Sequence, residues 1–358
     1  MKEISLCMIV RDEEKVIGRC LESVKNLVDE IIIVDTGSKD MTKEIVSKFT
    51  DKIYDFEWVN DFAKARNFSF SKATKDYILW LDADDVILEE DRMKFKELKE
   101  KMDGTVDLYQ MKYNYHLDAN NNPTLIQVRE RLMKREKNYQ WVSPIHEVIV
   151  PSGNIEKVDI AITHKKIEIK DVNRNLNIFE KMKADGIEFD DRQEYCYAKE
   201  LYFLQRYEEA IEEYEKFIKK YEREYSLRRS FLHKAILELA SIYKRVGRDE
   251  KILDTLLIIV KNEIPGSECC CKIGEIFLKQ KEYKTAVYWF EQAIQNKKDV
   301  NEYGDTNVDY NEFIPYISLC VCHFYLGDME LSRYYNELGG TIKPKDKTYL
   351  SNREALNY

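Results

Sequence analysis

Ile78-Leu79-Trp80-Leu81-Asp82-Ala83-Asp84-Asp85 sets the reading of the N-terminal half. An unbroken apolar run bounded by charge suits a strand buried on both faces. Three carboxylates then arrive together at its C-terminal end. Hard cations such as Mg2+ and Mn2+ take oxygen ligands, and commonly bind through one or two carboxylates together with substrate phosphates. Taken alone, the same run also fits a polar turn after a strand, so its meaning rests on its surroundings.

Working back from Asp82, the chain alternates strands and helices. Ile4–Val10 reads as a strand, Val16–Leu27 as a helix with apolar residues at Ile17, Leu21, Val24 and Leu27, and Glu30–Val34 as a β-branched strand. Asp40 suits the N-cap of a helix over Met41–Phe49; Lys52–Phe56 is a short strand and Asp61–Ala73 a helix. This βαβαβ rhythm predicts a parallel sheet with helices on its faces, in which ligands sit beyond the carboxyl ends of the strands. The polar clusters Arg11-Asp12-Glu13-Glu14, Asp35-Thr36-Gly37-Ser38 and Asp82-Ala83-Asp84-Asp85 all fall at such ends.

Four segments occur in order: Val10-Arg11-Asp12-Glu13-Glu14, then Val34 to Thr42 with its Gly-Ser-x-Asp-x-Thr loop, then Ala65-Arg66-Asn67, then Asp82-Ala83-Asp84. In this the sequence resembles the family 2 glycosyltransferases, over residues 4 to about 165. The resemblance implies an α/β GT-A (Rossmann-like) nucleotide-sugar domain that uses a divalent metal, Mg2+ or Mn2+, and a UDP-sugar, UDP-glucose foremost. It implies that Val10, Arg11, Glu13, Asp35, Arg66, Asp82 and Ala83 line the donor site. Asp35 would bond the pyrimidine base, and Arg66 would approach the base or pyrophosphate, where a guanidinium fork suits phosphate oxygens. Asp82 and Asp84 would reach the metal. A helix-capping role for Asp40 and a surface ion pair for Arg66 are the plainer readings of those two residues.

A second cluster comprises Arg129-Glu130-Arg131, Trp141 to Glu147, and Ile162-Thr163-His164. By the same resemblance, His164 would complete the metal shell. The acidic pair that often supplies the general base in the family is absent, and His146-Glu147 is the nearest candidate. Glu147 would take the acceptor's proton with His146 beside it; such a pair is equally at home in a structural role.

From Glu188 onward strands give way to helices at a repeated spacing. Ala198, Tyr207, Ala210 and Tyr214 share their offsets with Gly274, Tyr283, Ala286 and Phe290, and Gly274 stands 34 residues after Ala240. The pattern is that of tetratricopeptide repeats, with small residues where paired helices touch and aromatics between them. The expected division is a GT-A domain at 1–165, a connecting helix at 166–190, an all-α tetratricopeptide-repeat domain at 191–345 and a C-terminal tail at 346–358. Asn296–Asn311 reads as a loop inserted between the last two repeat units.

Bulk properties narrow the class. The chain has 358 residues and a formal net charge of −9, with both signs interspersed, which argues against a nucleic-acid partner. No apolar run approaches the ~20 residues of a membrane span, and the N-terminus lacks a signal-peptide pattern, so a cytoplasmic location is expected. Eight cysteines without a CxxC pair read as reduced and buried rather than as zinc ligands.

A narrower resemblance is to the sublancin-type peptide S-glycosyltransferases. It rests on Asp55 to Asn67, the His146-Glu147 pair, the late His164 and the appended repeats. It implies an inverting hexosyltransferase acting on Cys or Ser of a peptide or protein, working as a homodimer. Two other readings stay open: a transferase acting on a cell-wall or capsule saccharide, and a non-catalytic scaffold with a degenerate nucleotide-sugar fold. The joint presence of Asp35, Arg66, Asp82 and Asp84 speaks against the scaffold.

Overall fold

The computed structural model describes residues 2–118, 121–165, 171–297 and 306–357, and divides into two units, Met1–Ile187 and Glu188–Tyr358. The first unit contains strands β1 (Ile4–Val10), β2 (Glu30–Asp35), β3 (Ile53–Asp55), β4 (Tyr77–Trp80), β5 (Asp85–Val86), β6 (Leu108–Leu117), β7 (Pro123–Lys134), β8 (Trp141–Val142), β9 (Val148–Ile149) and β10 (Ile155–His164). Its helices are α1 (Ile17–Val24), α2 (Thr42–Val46), α3 (Phe62–Ser71), α4 (Glu89–Lys101) and α5 (Arg174–Ala184).

The main sheet runs β3-β2-β1-β4-β7-β6-β10-β5. The first four strands are parallel, as the sequence rhythm predicts. The second half differs: β7 enters antiparallel between β4 and β6, and β5 pairs antiparallel with β10. The sheet is therefore mixed. Neighbouring residues of the parallel strands point to opposite faces and both are buried: Leu6, Ile33 and Leu79 pack on the side of α1 and α4, and Cys7, Ile32 and Ile78 pack with Phe70 of α3. This two-sided burial explains the unbroken apolar run before Asp82.

Glu30 opens β2 as a buried carboxylate. It accepts from Lys52 Nζ (2.5 Å), Thr74 N (3.0 Å), Thr74 Oγ1 (2.9 Å) and Ser5 Oγ. Burial pushes its pKa up, but these donors outweigh that and hold it at about 2.

The described residues of the second unit form helices α6 (Asp191–Phe203), α7 (Tyr207–Tyr221), α8 (Tyr225–Val246), α9 (Asp249–Asn262), α10 (Ser267–Lys279), α11 (Tyr283–Gln295), α12 (Phe313–Leu326), α13 (Met329–Ile342) and α14 (Lys347–Ala355), with short turns and a two-residue strand, β11 (Thr306–Asn307), between them. Helices α6–α7, α8–α9, α10–α11 and α12–α13 pack as successive pairs, the architecture expected of helical repeats. Gly274 of α10 lies against Phe290 of α11: a Cβ there would fall 2.9 Å from the ring. Gly247 and Gly327 end α8 and α12 in the left-handed conformation that spares a glycine the Cβ clash. Residues 346–358, expected as a tail, contain α14, capped by Asp346, with Tyr349 buried. The segment 166–190, expected as one connecting helix, has 166–170 outside the described residues and α5 within the first unit. Half of the expected 296–311 loop, residues 298–305, also lies outside them.

All eight cysteines are buried and none is in a disulfide. Burial raises Cys7 and Cys322 to about 12 and the thiol of Cys20 well above its ordinary value. No helix among the described residues is long and apolar enough to cross a membrane.

Candidate active site

The site grows from the end of β4. Asp82 and Asp85 close a tight turn, with Asp85 N bonded to Asp82 O (3.1 Å) and Asp82 N to Asp85 Oδ2 (3.1 Å). Antiparallel pairing then sets His164 of β10 opposite Asp85 of β5, and Lys165 N donates to Asp84 O at 2.9 Å. His164 Nδ1 thus stands 3.3 Å from Asp84 Oδ1, 3.5 Å from Asp85 Oδ1 and 3.0 Å from the Tyr113 hydroxyl. Burial lowers the pKa of His164, but the two carboxylates prevail and push it up to about 9. Tyr115 stacks on the imidazole at 5.4 Å.

Beneath this turn lies a fully buried ion pair. Arg131 Nη1 donates to Asp85 Oδ2 at 3.1 Å, and its guanidinium is stacked between Trp80 (3.8 Å) and Tyr113 (4.4 Å). Two opposite charges at such depth hold each other; either left alone would be costly.

Ligand atoms of Asp84, Asp85 and His164 lie within 4.8 Å of one another. Asp85 Oδ1 is buried without a hydrogen-bond partner. Two carboxylates and one imidazole suit a borderline-hard divalent ion such as Mn2+, so these residues fit the group. The grouping differs from the expected trio of Asp82, Asp84 and His164. Asp85 takes part instead, and Asp82, 37% exposed at its side chain, turns to Arg66. Burial raises the Asp82 pKa and the neighbouring Arg66 and Arg131 lower it further, so the net direction is down.

Arg66, expected at the base or pyrophosphate, is paired with two carboxylates. It is 8% exposed, donates from Nη2 to Asp82 Oδ1 (2.8 Å) and from Nε to Glu147 Oε1 (2.6 Å), and rests against the rings of Trp80 (4.9 Å) and Trp141 (4.8 Å). Its fork is thus turned to two carboxylates. It also brings the expected base candidate, Glu147, into the same cluster as the Asp-rich turn. His146 packs on Phe179 of α5 with ring centroids 6.0 Å apart.

The other expected donor residues gather at the ends of β1 and β2, where two loops interlock. Asp12 N donates to Ser38 Oγ (2.9 Å), Glu13 N to Thr42 Oγ1 (2.7 Å) and Glu14 N to Asp40 Oδ2 (3.1 Å), while Lys39 N donates to Asp12 Oδ1 (2.7 Å). Asp40 thus ties the two loops, and α2 begins at Thr42, whose N–H also reaches Asp40. Asp35 is buried: its Oδ2 accepts from the amides of Gly37 (3.1 Å) and Ser38 (3.0 Å), and its Oδ1 keeps one long contact at 3.3 Å. Arg11 is exposed beside Asp12 (4.0 Å). The side chains of Val10 and Ala83 lie in the core, and Val10 O accepts from Thr36. A cavity of about 420 Å3 lined by Phe70, Arg135 and Tyr139 includes none of the carboxylates just described.

The sequence reading did not group Asp85 with Asp84 and His164, although it belongs to the same acidic run, and did not single out Tyr113 or the two tryptophans, which carry no motif of their own.

The family model described as Glycosyl transferase family 2 matches residues 5–159. A TPR repeat-containing protein of Synechococcus elongatus is 37% identical over 149 residues, 42% of this chain and 36% of that protein. The SPbeta prophage-derived glycosyltransferase SunS of Bacillus subtilis is 27% identical over 275 residues, 73% of this chain and 63% of that protein. The lipopolysaccharide core biosynthesis glycosyltransferase LpsC of Rhizobium meliloti is 28% identical over 159 residues, 42% of this chain and 58% of that protein. In each case the alignment spans less than two thirds of the relative's own length.

Proposed function

We propose that the chain, whose residues 5–159 match the model of glycosyl transferase family 2, is a metal-dependent inverting transferase that moves a hexose from a UDP-sugar to a Cys or Ser side chain of a peptide or protein. The observation that carries this reading is the gathering of Asp84, Asp85 and His164 donor atoms within 4.8 Å at a strand end. Those three residues would hold Mg2+ or Mn2+. A divalent ion there supplies positive charge against the diphosphate of the leaving UDP.

The remaining steps belong to the chain's own residues. Asp35, Arg11 and Glu13 border the nucleoside. Glu147 takes the proton of the acceptor thiol or hydroxyl. The acceptor sulfur or oxygen forms its bond to the anomeric carbon as the bond from that carbon to the UDP oxygen breaks, and the electron pair leaves with UDP. Attack from the face opposite UDP inverts the anomeric centre. An acceptor thiol, with an ordinary pKa near ~8.5, needs less help from a base than a hydroxyl. The helical array presents the peptide, since stacked helix pairs form surfaces suited to extended chains. The peptide acceptor is supported by the resemblance in Asp55 to Asn67 and by the alignment with SunS, which extends beyond the N-terminal domain in length.

A saccharide acceptor is the second reading, favoured by the likeness to LpsC. The test incubates the protein with Mn2+ and a panel of UDP-sugars, offering Cys- and Ser-containing peptides or oligosaccharides. UDP release is measured, and products are weighed by mass spectrometry. A hexose added to peptide supports the first reading; transfer to saccharide alone overturns it in favour of the second. No UDP release with any donor overturns both.

A further inference from the structure

Helix α3 grips the loop that carries Glu147 at several points. Asp61 caps the helix by accepting from Lys64 N (2.9 Å), which fixes where its first turn begins. Phe62 N then donates to Pro144 O (2.8 Å). Asn67 brackets the backbone of Trp141, accepting from its N–H at 2.8 Å and donating to its carbonyl at 3.0 Å. Between them, Arg66 reaches Glu147 itself. The gripped loop holds an unfavourable shape: Ser143 (φ 79°) and His146 (φ 50°) both sit in the left-handed region without being glycine. Such conformations are costly for residues with a Cβ and persist only where their surroundings impose them.

We propose that Arg66 is a positioning residue for Glu147, and that Phe62–Asn67 is a clamp setting the height and direction of the Trp141–Glu147 loop over the acidic turn. This rests on the reading of Glu147 as the base. The guanidinium is planar and rigid, so bonds from Nε and Nη2 fix the two carboxylates in relation to each other. Trp80 and Trp141, packed edge to face at 4.8 Å, form an aromatic corner against which the guanidinium rests, 4.9 Å from one ring and 4.8 Å from the other. Because Asp82 anchors the far end, Glu147 is registered to the strand end that carries Asp84. With Oε1 bound to Arg66, Oε2 is the oxygen that takes the acceptor's proton. A lysine offers one compact ammonium and cannot hold both carboxylates in one plane.

The test is a double-mutant cycle on the full chain: wild type, R66K, E147Q and R66K/E147Q, with donor KM, transfer kcat and UDP-sugar hydrolysis measured for each. We expect R66K to lower transfer kcat about 10–100-fold, the scale of a misplacement near 1 Å, with donor KM changed less than about threefold. In the E147Q background R66K should add little, because the group it acts through is already disabled. Asn67→Ser loosens the other end of the clamp while leaving Arg66 in place, and should show the same dependence on Glu147; it carries the test if R66K fails to fold. A multiplicative effect of R66K or Asn67→Ser with an impaired E147Q overturns the positioning role alone. So does a raised donor KM at unchanged kcat, which marks a donor contact. An E147Q protein with wild-type turnover overturns the base reading, and this role with it.

Discussion

Asp84 and His164 approach each other to 3.3 Å because the pairing of β10 with β5 sets the histidine opposite the acidic turn. Neither side chain is part of the core, so Asp84→Ala should abolish transfer and leave the protein folded, with a stability cost confined to the lost pair with His164, about 1–2 kcal/mol. Asp85→Asn should differ by also removing the buried partner of Arg131, at a cost of roughly 3–5 kcal/mol. Chemical denaturation and Mn2+ titration of the two variants separate these outcomes. Full activity of Asp84→Ala, or of the wild type in EDTA, would refute the metal assignment.

Glu147→Gln keeps size and hydrogen bonding while removing the proton acceptor. Turnover with a hydroxyl acceptor should fall roughly 10²–10⁴-fold. With a thiol acceptor the loss should shrink at high pH, where thiolate forms unaided. Rates of both reactions across pH check this, and unchanged rates with both acceptors would move the role elsewhere.

Glu30 makes acid stability readable. Its pKa is about 2 in the folded chain against an ordinary 4.5, so its charged form stabilises the fold. That contribution is fully present above pH 4.5 and is lost as pH falls from there toward 2. Glu30→Gln should cost about 2–3 kcal/mol at neutral pH, with the gap from wild type narrowing through that acid range. A gap that stays constant with pH would show that the ion pair is not its source.

The repeats can be tested apart from the donor site. Every residue assigned to donor or metal lies in the first unit, Met1–Ile187. Residues 1–187 alone should bind UDP with Mn2+ and hydrolyse donor slowly, yet lose transfer to a long peptide far more than hydrolysis, since remote acceptor binding supports the chemical step. A folded N-terminal fragment that glycosylates the peptide at full efficiency would refute the acceptor role of the helices.

Gly274→Ala places a methyl 2.9 Å from the Phe290 ring. Overpacking of this kind should destabilise the second unit by about 1–3 kcal/mol, read as a lower denaturant midpoint for its helical signal. No shift would mean that α10 and α11 separate without penalty.

The parallel half of the sheet was legible because its strands are buried on both faces and end in polar clusters, from Val10-Arg11 to Leu81-Asp82. The antiparallel half was not, since β6 and β7 bury their faces unevenly and follow no single period. The acidic turn and His164 were legible from resemblance, but their grouping was not. Which of Asp82 and Asp85 turns toward His164 depends on hydrogen bonds inside the 82–85 turn and on Arg66 and Arg131, arriving from other elements. The pairing of Arg66 with Glu147 joins residues 81 positions apart, and no local spacing announces it.

If the acceptor is a thiol, as proposed, the burial of all eight cysteines would have a consequence. Such an enzyme works beside its own sulfhydryls, and any that were accessible and ionised would compete as unintended substrates. Keeping every one sealed and protonated would guard against self-glycosylation. It also leaves the native protein nearly silent to thiol-reactive dyes, so the free thiols of an acceptor peptide could be counted directly in its presence as they disappear.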